Sequence, residues 1–233
     1  MKHTVLIIED DPHILGILDF LLTDEGYEVL LASSGEEGLS RISHNEVDLV
    51  IIDINLPGIN GLEVCNRIKQ KYAKPVIIVS SRDQDSDVIS GLELGADDYI
   101  KKPFNHRELI LRVANIVERL PKFDQDKNIT IGTLTIDIGH QMVYRDTIDL
   151  HLTQTEFAVI HCLSKHVGFT VSWYVICNEV WGSQDWDGGR ELVKVNIRRL
   201  RKKLEQDPSQ PEIIVNEWGK GYKLVPEALL ADC

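Results

Sequence analysis

The 233-residue chain has no apolar run approaching the roughly 20 residues that a membrane span needs, so a membrane protein is not expected. Met1-Lys2-His3-Thr4 leads straight into a short strand-like run, so no secretory signal is expected either. Only four cysteines occur (Cys65, Cys162, Cys177 and Cys233), without C-x-x-C spacing. That argues against a zinc ribbon or a dithiol redox motif and fits reduced thiols in a cytoplasmic protein. The eight histidines lack metal-ligand spacing, and internal repeats and low-complexity segments are missing. What remains is ordinary globular composition, 43% apolar and 27% charged, at a length that suits two domains.

Positive charge is also scarce overall, with a net charge of −12, which taken alone disfavours nucleic acid. The distribution changes that reading. Residues 1–121 carry 12 Lys+Arg against 21 Asp+Glu, whereas residues 122–233 carry 13 against 16. Lys194 to Lys203 holds six basic residues and no acid. Binding to phosphates depends on such local charge rather than on the whole-chain sum.

The first 120 residues alternate strand and helix. Val5–Ile8, Val29–Leu31, Val47–Ile52, Val76–Val79 and Tyr99-Ile100 read as strands. Between and after them, helical spacing covers Pro12–Asp24, a stretch capped by Ser34 with Glu37 and running to about His44, Gly61–Tyr72, Asp85–Leu94 and His106–Leu120. Strands apolar on both faces and separated by helices predict an α/β flavodoxin-like domain, a doubly wound five-stranded parallel sheet. Residues 121–128 are polar, begin with proline and read as a linker. Residues 129–228 change pattern to α+β: short strands within Ile129–Leu152, a helix opened by a Thr153/Glu156 capping box, a helix Trp173–Trp181, a loop Gly182–Gly189, a long helix Arg190–Glu205, and a hairpin around Asn216–Gly221. Three helices followed by a hairpin is a winged-helix plan.

In an open parallel sheet, ligands gather outside the carboxyl ends of the strands. Those ends deliver Glu9, Asp10 and Asp11, then Asp53, then Ser80 and Ser81, then Lys101, Lys102 and Pro103. Several carboxylates at one rim repel unless a cation sits among them, and oxygen-only donors select a hard divalent ion, with Mg2+ the expected one. Asp53 beside a metal, a lysine and a hydroxyl has the parts of a nucleophile for phosphoryl transfer.

Residues 1–120 resemble a response-regulator receiver domain. The matching stretches are Ile8-Glu9-Asp10-Asp11, Ile52-Asp53-Ile54-Asn55-Leu56-Pro57-Gly58, Ser80, and Gly95-Ala96-Asp97-Asp98-Tyr99-Ile100-Lys101-Lys102-Pro103-Phe104. The resemblance implies that Asp53 accepts phosphate from a sensor histidine kinase. It also implies that Glu9, Asp10, Asp53 and the backbone carbonyl of Asn55 hold Mg2+. Lys102 is the matching lysine, with a cis bond to Pro103, and Ser80 and Tyr99 are the switch pair. Activation in the family brings a homodimer through the face of the fourth helix, fifth strand and fifth helix, where Glu93, Asp97, Asp98, Glu108, Arg112 and Arg119 are the charged candidates. Val88 and Ala114 stand where basic residues are common, so fewer interface ion pairs are expected.

Residues 129–226 resemble the winged-helix effector of the OmpR/PhoB family, through Leu152-Thr153-Gln154-Thr155-Glu156-Phe157, Val180-Trp181-Gly182, Val195 to Leu204, and Gly219-Lys220-Gly221-Tyr222-Lys223-Leu224. This implies a recognition helix in the major groove of double-stranded DNA and a wing at the minor groove. Arg199 and Asn196 are the expected base readers; Lys194, Arg198 and Arg201 are expected at phosphates. Family wings usually carry arginine where Trp218 stands, which leaves Lys220 to reach the groove. The loop Gly182–Gly189, with Trp186, matches by position a loop that contacts RNA polymerase and reads equally as a plain connection.

The expected function is therefore a two-component response regulator and transcription factor rather than an enzyme. Two other readings stay open. One is a winged-helix regulator that binds DNA without phosphorylation. The other is a phosphohydrolase working through an aspartyl-phosphate, against which Asp53-Ile54-Asn55 offers no second acid two residues on.

Overall fold

The computed structural model describes residues 2–81, 91–118, 128–182 and 188–225. The chain divides into two compact units, Met1–Leu120 and Pro121–Cys233. Among the described residues no helix is long and apolar enough to cross a membrane.

The first unit holds strands β1 (Thr4–Ile8), β2 (Glu28–Ala32), β3 (Leu49–Ile52), β4 (Val76–Ser80) and β5 (Asp98–Lys101). Its helices are α1 (Pro12–Asp24), α2 (Gly35–His44), α3 (Gly61–Tyr72) and α4 (His106–Glu118), and Gly91–Glu93 are also helical. The sheet is parallel throughout, in the order β2-β1-β3-β4-β5. Alternation explains the near-continuous apolar strands. Val5, Ile7, Leu49, Ile51, Ile77 and Val79 face one side and pack with Leu18, Leu22, Leu109 and Val113. The intervening Leu6, Ile8, Val50 and Ile52 are equally buried. Both faces being covered, each strand must be apolar at every position.

Caps start the helices where the sequence indicates, with one difference. Asp11 caps α1 by accepting from the N–H groups of His13 and Ile14, with Pro12 at the first helical position. Ser34 accepts from Glu37 N–H, but the Glu37 carboxylate reaches the N–H and hydroxyl of Ser33 rather than closing a reciprocal box. At Thr153 both halves of the capping box form.

The second unit begins with an antiparallel four-stranded sheet, β6 (Asn128–Ile131), β7 (Leu134–Asp137), β8 (Met142–Arg145) and β9 (Ile148–Asp149). Helices α5 (Gln154–Ser164), α6 (Trp173–Trp181) and α7 (Gly189–Leu204) follow, and strands β10 (Thr170–Ser172), β11 (Ile214–Glu217) and β12 (Gly221–Leu224) form a second sheet in the order β10-β12-β11. This is a winged-helix domain, with β11–β12 as the wing. Leu192, Val193, Ile197, Leu200 and Leu204 form the buried stripe of α7. The wing is tied to that helix by polar bonds: Glu205, at the C-cap of α7, accepts from the N–H groups of Glu212, Ile213 and Ile214. Arg201 donates through Nε and Nη2 to the carbonyl of Ile214.

Candidate functional site

The strand order reverses direction between β1 and β3, and Ile8 pairs in register with Ile52. That pairing sets the residues after each strand side by side, and the Asp53 N–H donates to the Ile8 carbonyl. Glu9, Asp10 and Asp53 each offer a carboxylate oxygen within 4.8 Å of the others. They open on a cleft of about 640 Å³ that Asn55, Ser81, Lys102 and His106 also line. Asp11, spent on capping α1, is not part of the carboxylate group.

Lys102 Nζ donates to Glu9 Oε2 at 2.7 Å and to Asp53 Oδ2 at 2.6 Å. The other oxygen of Asp53 accepts from Asn55 N–H at 3.0 Å. Burial raises the Glu9 pKa; Lys102 opposes this and the neighbouring Asp53 adds to it. Burial also disfavours the Lys102 ammonium, but the Asp53 and Glu9 carboxylates outweigh it and raise the lysine's pKa. Three carboxylates against one ammonium leave two negative charges uncompensated, the charge of one divalent cation. The donors are all oxygen, so the residues present fit a hard ion such as Mg2+.

A glycine keeps Asp53 in place. Gly61 opens α3, and a Cβ on it would lie 1.9 Å from the Asp53 carbonyl oxygen. Gly61→Ala must therefore push α3 or the Asp53 backbone aside. The expected result is a loss of about 1–3 kcal/mol of stability. If Asp53 takes up phosphate as the sequence leads one to expect, uptake should slow by roughly 10- to 100-fold, because a displaced carboxylate loses its approach geometry. Thermal unfolding and a time course with acetyl phosphate would check both.

The residues expected to form the switch pair sit deeper than the cleft. Ser80 is fully buried and Tyr99 is 3% exposed. Ser81, expected with Ser80 at this rim but given no switch role, lines the cleft and accepts from Asn55 Nδ2 at 3.5 Å. The Lys102–Pro103 bond is cis.

The structure corrects three of the charges assigned to an intermolecular face. Asp97 is 1% exposed and accepts from Lys69 Nζ and Val76 N–H. Asp98 and Arg112, 0% and 1% exposed, form a two-bond ion pair with each other. These groups are occupied inside their own domain, so they present no charge to a second copy in this structure. Glu93 is exposed, and Glu108 is partly exposed while bonded to Arg112. Arg119, Val88, most of the helix expected at 85–94, linker residues 121–127 and Trp186 lie outside the described residues.

On α7 the exposed positions are Arg190, Lys194, Arg198 and Lys202. Their spacing of four places them along one face, every one a cation. Lys194 and Arg198 were expected there; Lys202 belongs to the basic run but was given no contact, and Arg190 was missed, although the i, i+4 repeat carries the signal. Three expected DNA contacts are corrected. Asn196 is fully buried and donates to the Leu192 carbonyl. Arg199 pairs with Glu156, side chains 11% and 1% exposed. Arg201 is bonded to the Ile214 carbonyl. All three face the interior because they lie on the side of α7 that packs on α5 or the wing. Lys220, at the wing tip, is well exposed.

Residues 5–114 match the family model of the response regulator receiver domain, and residues 147–224 match that of the C-terminal domain of transcriptional regulatory proteins. The chain is similar to the response regulator DrrB, an OmpR/PhoB homologue from Thermotoga maritima, at 30% identity over 97% of this chain and 100% of that one, with a TM-score of 0.52. A single-residue mutant of RitR matches at 25% identity over 96% of this chain and 99% of the other, with a TM-score of 0.69. A two-component response regulator from Clostridium difficile matches at 28% identity over 52% of this chain and 100% of its own, with a TM-score of 0.51. A receiver domain joined to this type of DNA-binding domain places the chain in the OmpR/PhoB family: it is a two-component response regulator that acts as a transcription factor.

Proposed function

We propose that Asp53 is the phosphoacceptor and that its phosphorylation by a sensor histidine kinase controls DNA binding by α7. The observation that carries this reading is the Glu9/Asp10/Asp53 cluster closed by Lys102 at the mouth of the sheet. Glu9, Asp10, Asp53 and the Asn55 carbonyl would hold Mg2+, which when bound supplies positive charge beside the phosphoryl oxygens. Asp53 attacks the phosphorus of the donor; the bond from phosphorus to the donor's nitrogen breaks and the imidazole leaves. Lys102, already held between Glu9 and Asp53, balances the charge carried by the phosphoryl oxygens. Ser80, with Tyr99 as its switch partner, is the hydroxyl proposed to meet the new oxygens, and the exposed Ser81 at the cleft is a second candidate. Steady turnover of external phosphoesters is not part of this reading.

The domain limits proposed are 1–120 for the receiver, 121–128 for the linker and 129–228 for the effector. In the effector, Arg190, Lys194, Arg198 and Lys202 face double-stranded DNA, and Lys220 adds a phosphate contact. An activated homodimer would use Glu93, Glu108 and Arg119 rather than the buried Asp97, Asp98 and Arg112.

Intact-protein mass spectrometry tests the premise. With acetyl phosphate and Mg2+, the protein is expected to gain one phosphoryl group. Asp53→Asn, or wild type with the metal chelated by EDTA, is expected to gain none. Unchanged uptake by Asp53→Asn would overturn the assignment.

A further inference from the structure

We propose that Glu36, on α2 and outside the cleft, is a positioning residue for the divalent cation: its carboxylate fixes the loop that carries the Asn55 carbonyl. The proposal rests on the reading that Glu9, Asp10, Asp53 and that carbonyl hold Mg2+.

The loop runs over residues 54–60, between Asp53 and the start of α3. Backbone bonds close its base. The Asp53 N–H donates to the Ile8 carbonyl, and the Ile54 carbonyl accepts from the N–H groups of both Leu56 and Gly61, each at 3.0 Å. The base is therefore set by β1 and by the loop itself. The far side, Pro57 to Ile59, is exposed or half-buried and takes an anchor from α2. Glu36 Oε1 accepts from the Ile59 N–H at 3.2 Å.

The start of α2 presents that oxygen to the loop. Ser34 caps the helix and fixes its first turn, where Glu36 stands. The helix dipole favours an acid at this end. The two backbones come close on either side of the bond. A Cβ on Gly35 would lie 3.1 Å from the Ile59 carbonyl oxygen. A Cβ on Gly58, at φ +78°, would lie 2.5 Å from Glu36 Oε1. The loop thus runs directly over the carboxylate. Leu56, Pro57 and Gly58 alone separate Asn55 from the anchored Ile59, and the proline has a fixed φ. A displacement at Ile59 is therefore passed along to Asn55, whose N–H is bonded to Asp53 Oδ1. The loop needs an acceptor at this place, and the negative charge of Glu36 plays no part.

Mn2+ serves as the probe, because it takes the same oxygen donors and its electron paramagnetic resonance signal counts the free ion. In titrations of the full chain, Glu36→Ala is expected to bind Mn2+ about fivefold more weakly than wild type. That is less than the roughly 10- to 100-fold typical of groups bonded directly to a metal ligand, since Glu36 acts on one ligand through the loop. Glu36→Gln keeps an acceptor oxygen and is expected to stay within about twofold of wild type. In acetyl phosphate uptake, Glu36→Ala is expected to raise the Mg2+ concentration at half-maximal rate by about fivefold and to leave the rate at saturating Mg2+ unchanged. Both variants are expected to melt within about 2 °C of wild type, since the lost bond is exposed. Wild-type Mn2+ affinity in Glu36→Ala would overturn the proposal. So would an equal loss in Glu36→Gln, which would assign the effect to charge. Asp10→Asn separates the two levels. If it bound Mn2+ as tightly as wild type, the metal-site reading itself would fail; if it bound weakly while Glu36→Ala bound normally, only the role of Glu36 would fall.

Discussion

Replacing Arg190, Lys194, Arg198 and Lys202 together with alanine is expected to weaken binding to duplex DNA by roughly 10³-fold near 0.15 M salt while leaving the melting temperature almost unchanged. Each phosphate contact adds about 0.9 to the slope of log K against log salt, which near that salt amounts to roughly five-fold in affinity per contact. Four contacts give the three orders of magnitude, and the slope should flatten by roughly three to four. Stability is spared because all four side chains are exposed and alanine is a good helix former. Arg199→Ala should behave in the opposite way. It removes a partner from Glu156, which is 1% exposed and then relies on Lys203 and the Thr153 N–H. Leaving such a carboxylate short of a donor costs about 1–3 kcal/mol, so the melting temperature should fall by several degrees. DNA affinity measured well below that temperature should change little. Fluorescence anisotropy at several salt concentrations, with thermal unfolding of each variant, would check the contrast. Loss of affinity in Arg199→Ala at full stability would return that residue to the DNA face.

The contrast also shows where the sequence is legible and where it is not. The receiver sheet could be read because burial on both faces leaves a run such as Val5–Ile8 with no polar position. The carboxylate cluster could be read because strand order alone brings the residues after β1 and β3 together. In α7 the basic composition was plain, but composition does not set helical phase. Asn196, Arg199 and Arg201 sit in a basic run and yet turn inward, toward partners supplied by Leu192, α5 and β11. A hint was available: Glu156 closes the capping box of α5, and a buried acid there needs cations from elsewhere. The same limit applies to Asp97, whose partner Lys69 is 28 residues away, and to Asp98, whose partner Arg112 is 14 away. Sequence lists the charges; only the fold says which of them are already matched. At the end of β4, two consecutive serines differ only in which side of the strand they take, and the fold gives the cleft to Ser81.

Asp98→Ala is expected to destabilise the receiver by about 3–5 kcal/mol, because it strands a buried guanidinium. In the native structure Arg112 Nη1 donates to both Asp98 oxygens, at 2.8 and 2.9 Å. Its Nε and Nη2 donate to Glu108. Burial works against the charged guanidinium, and Asp98, followed by Glu108, outweighs it and raises the arginine's pKa. Removing Asp98 takes two hydrogen bonds from that charge and frees the Tyr99 N–H from its 2.7 Å bond to Asp98 Oδ1. At roughly 3–5 °C per kcal/mol for a domain of this size, the receiver transition should fall by about 10–20 °C. Added salt should restore little of it, since a pair this deeply buried is poorly screened. Replacing both partners with apolar side chains, as in Asp98→Leu/Arg112→Met, should recover much of the loss, since no buried charge is then left unpaired. Calorimetry of the full chain, following the receiver transition, would check the series. If Asp98→Ala instead melted like wild type and lost only its beryllofluoride-induced dimer, Asp98 would belong to the surface between two copies and the intrachain pair would not be what holds β5 to α4.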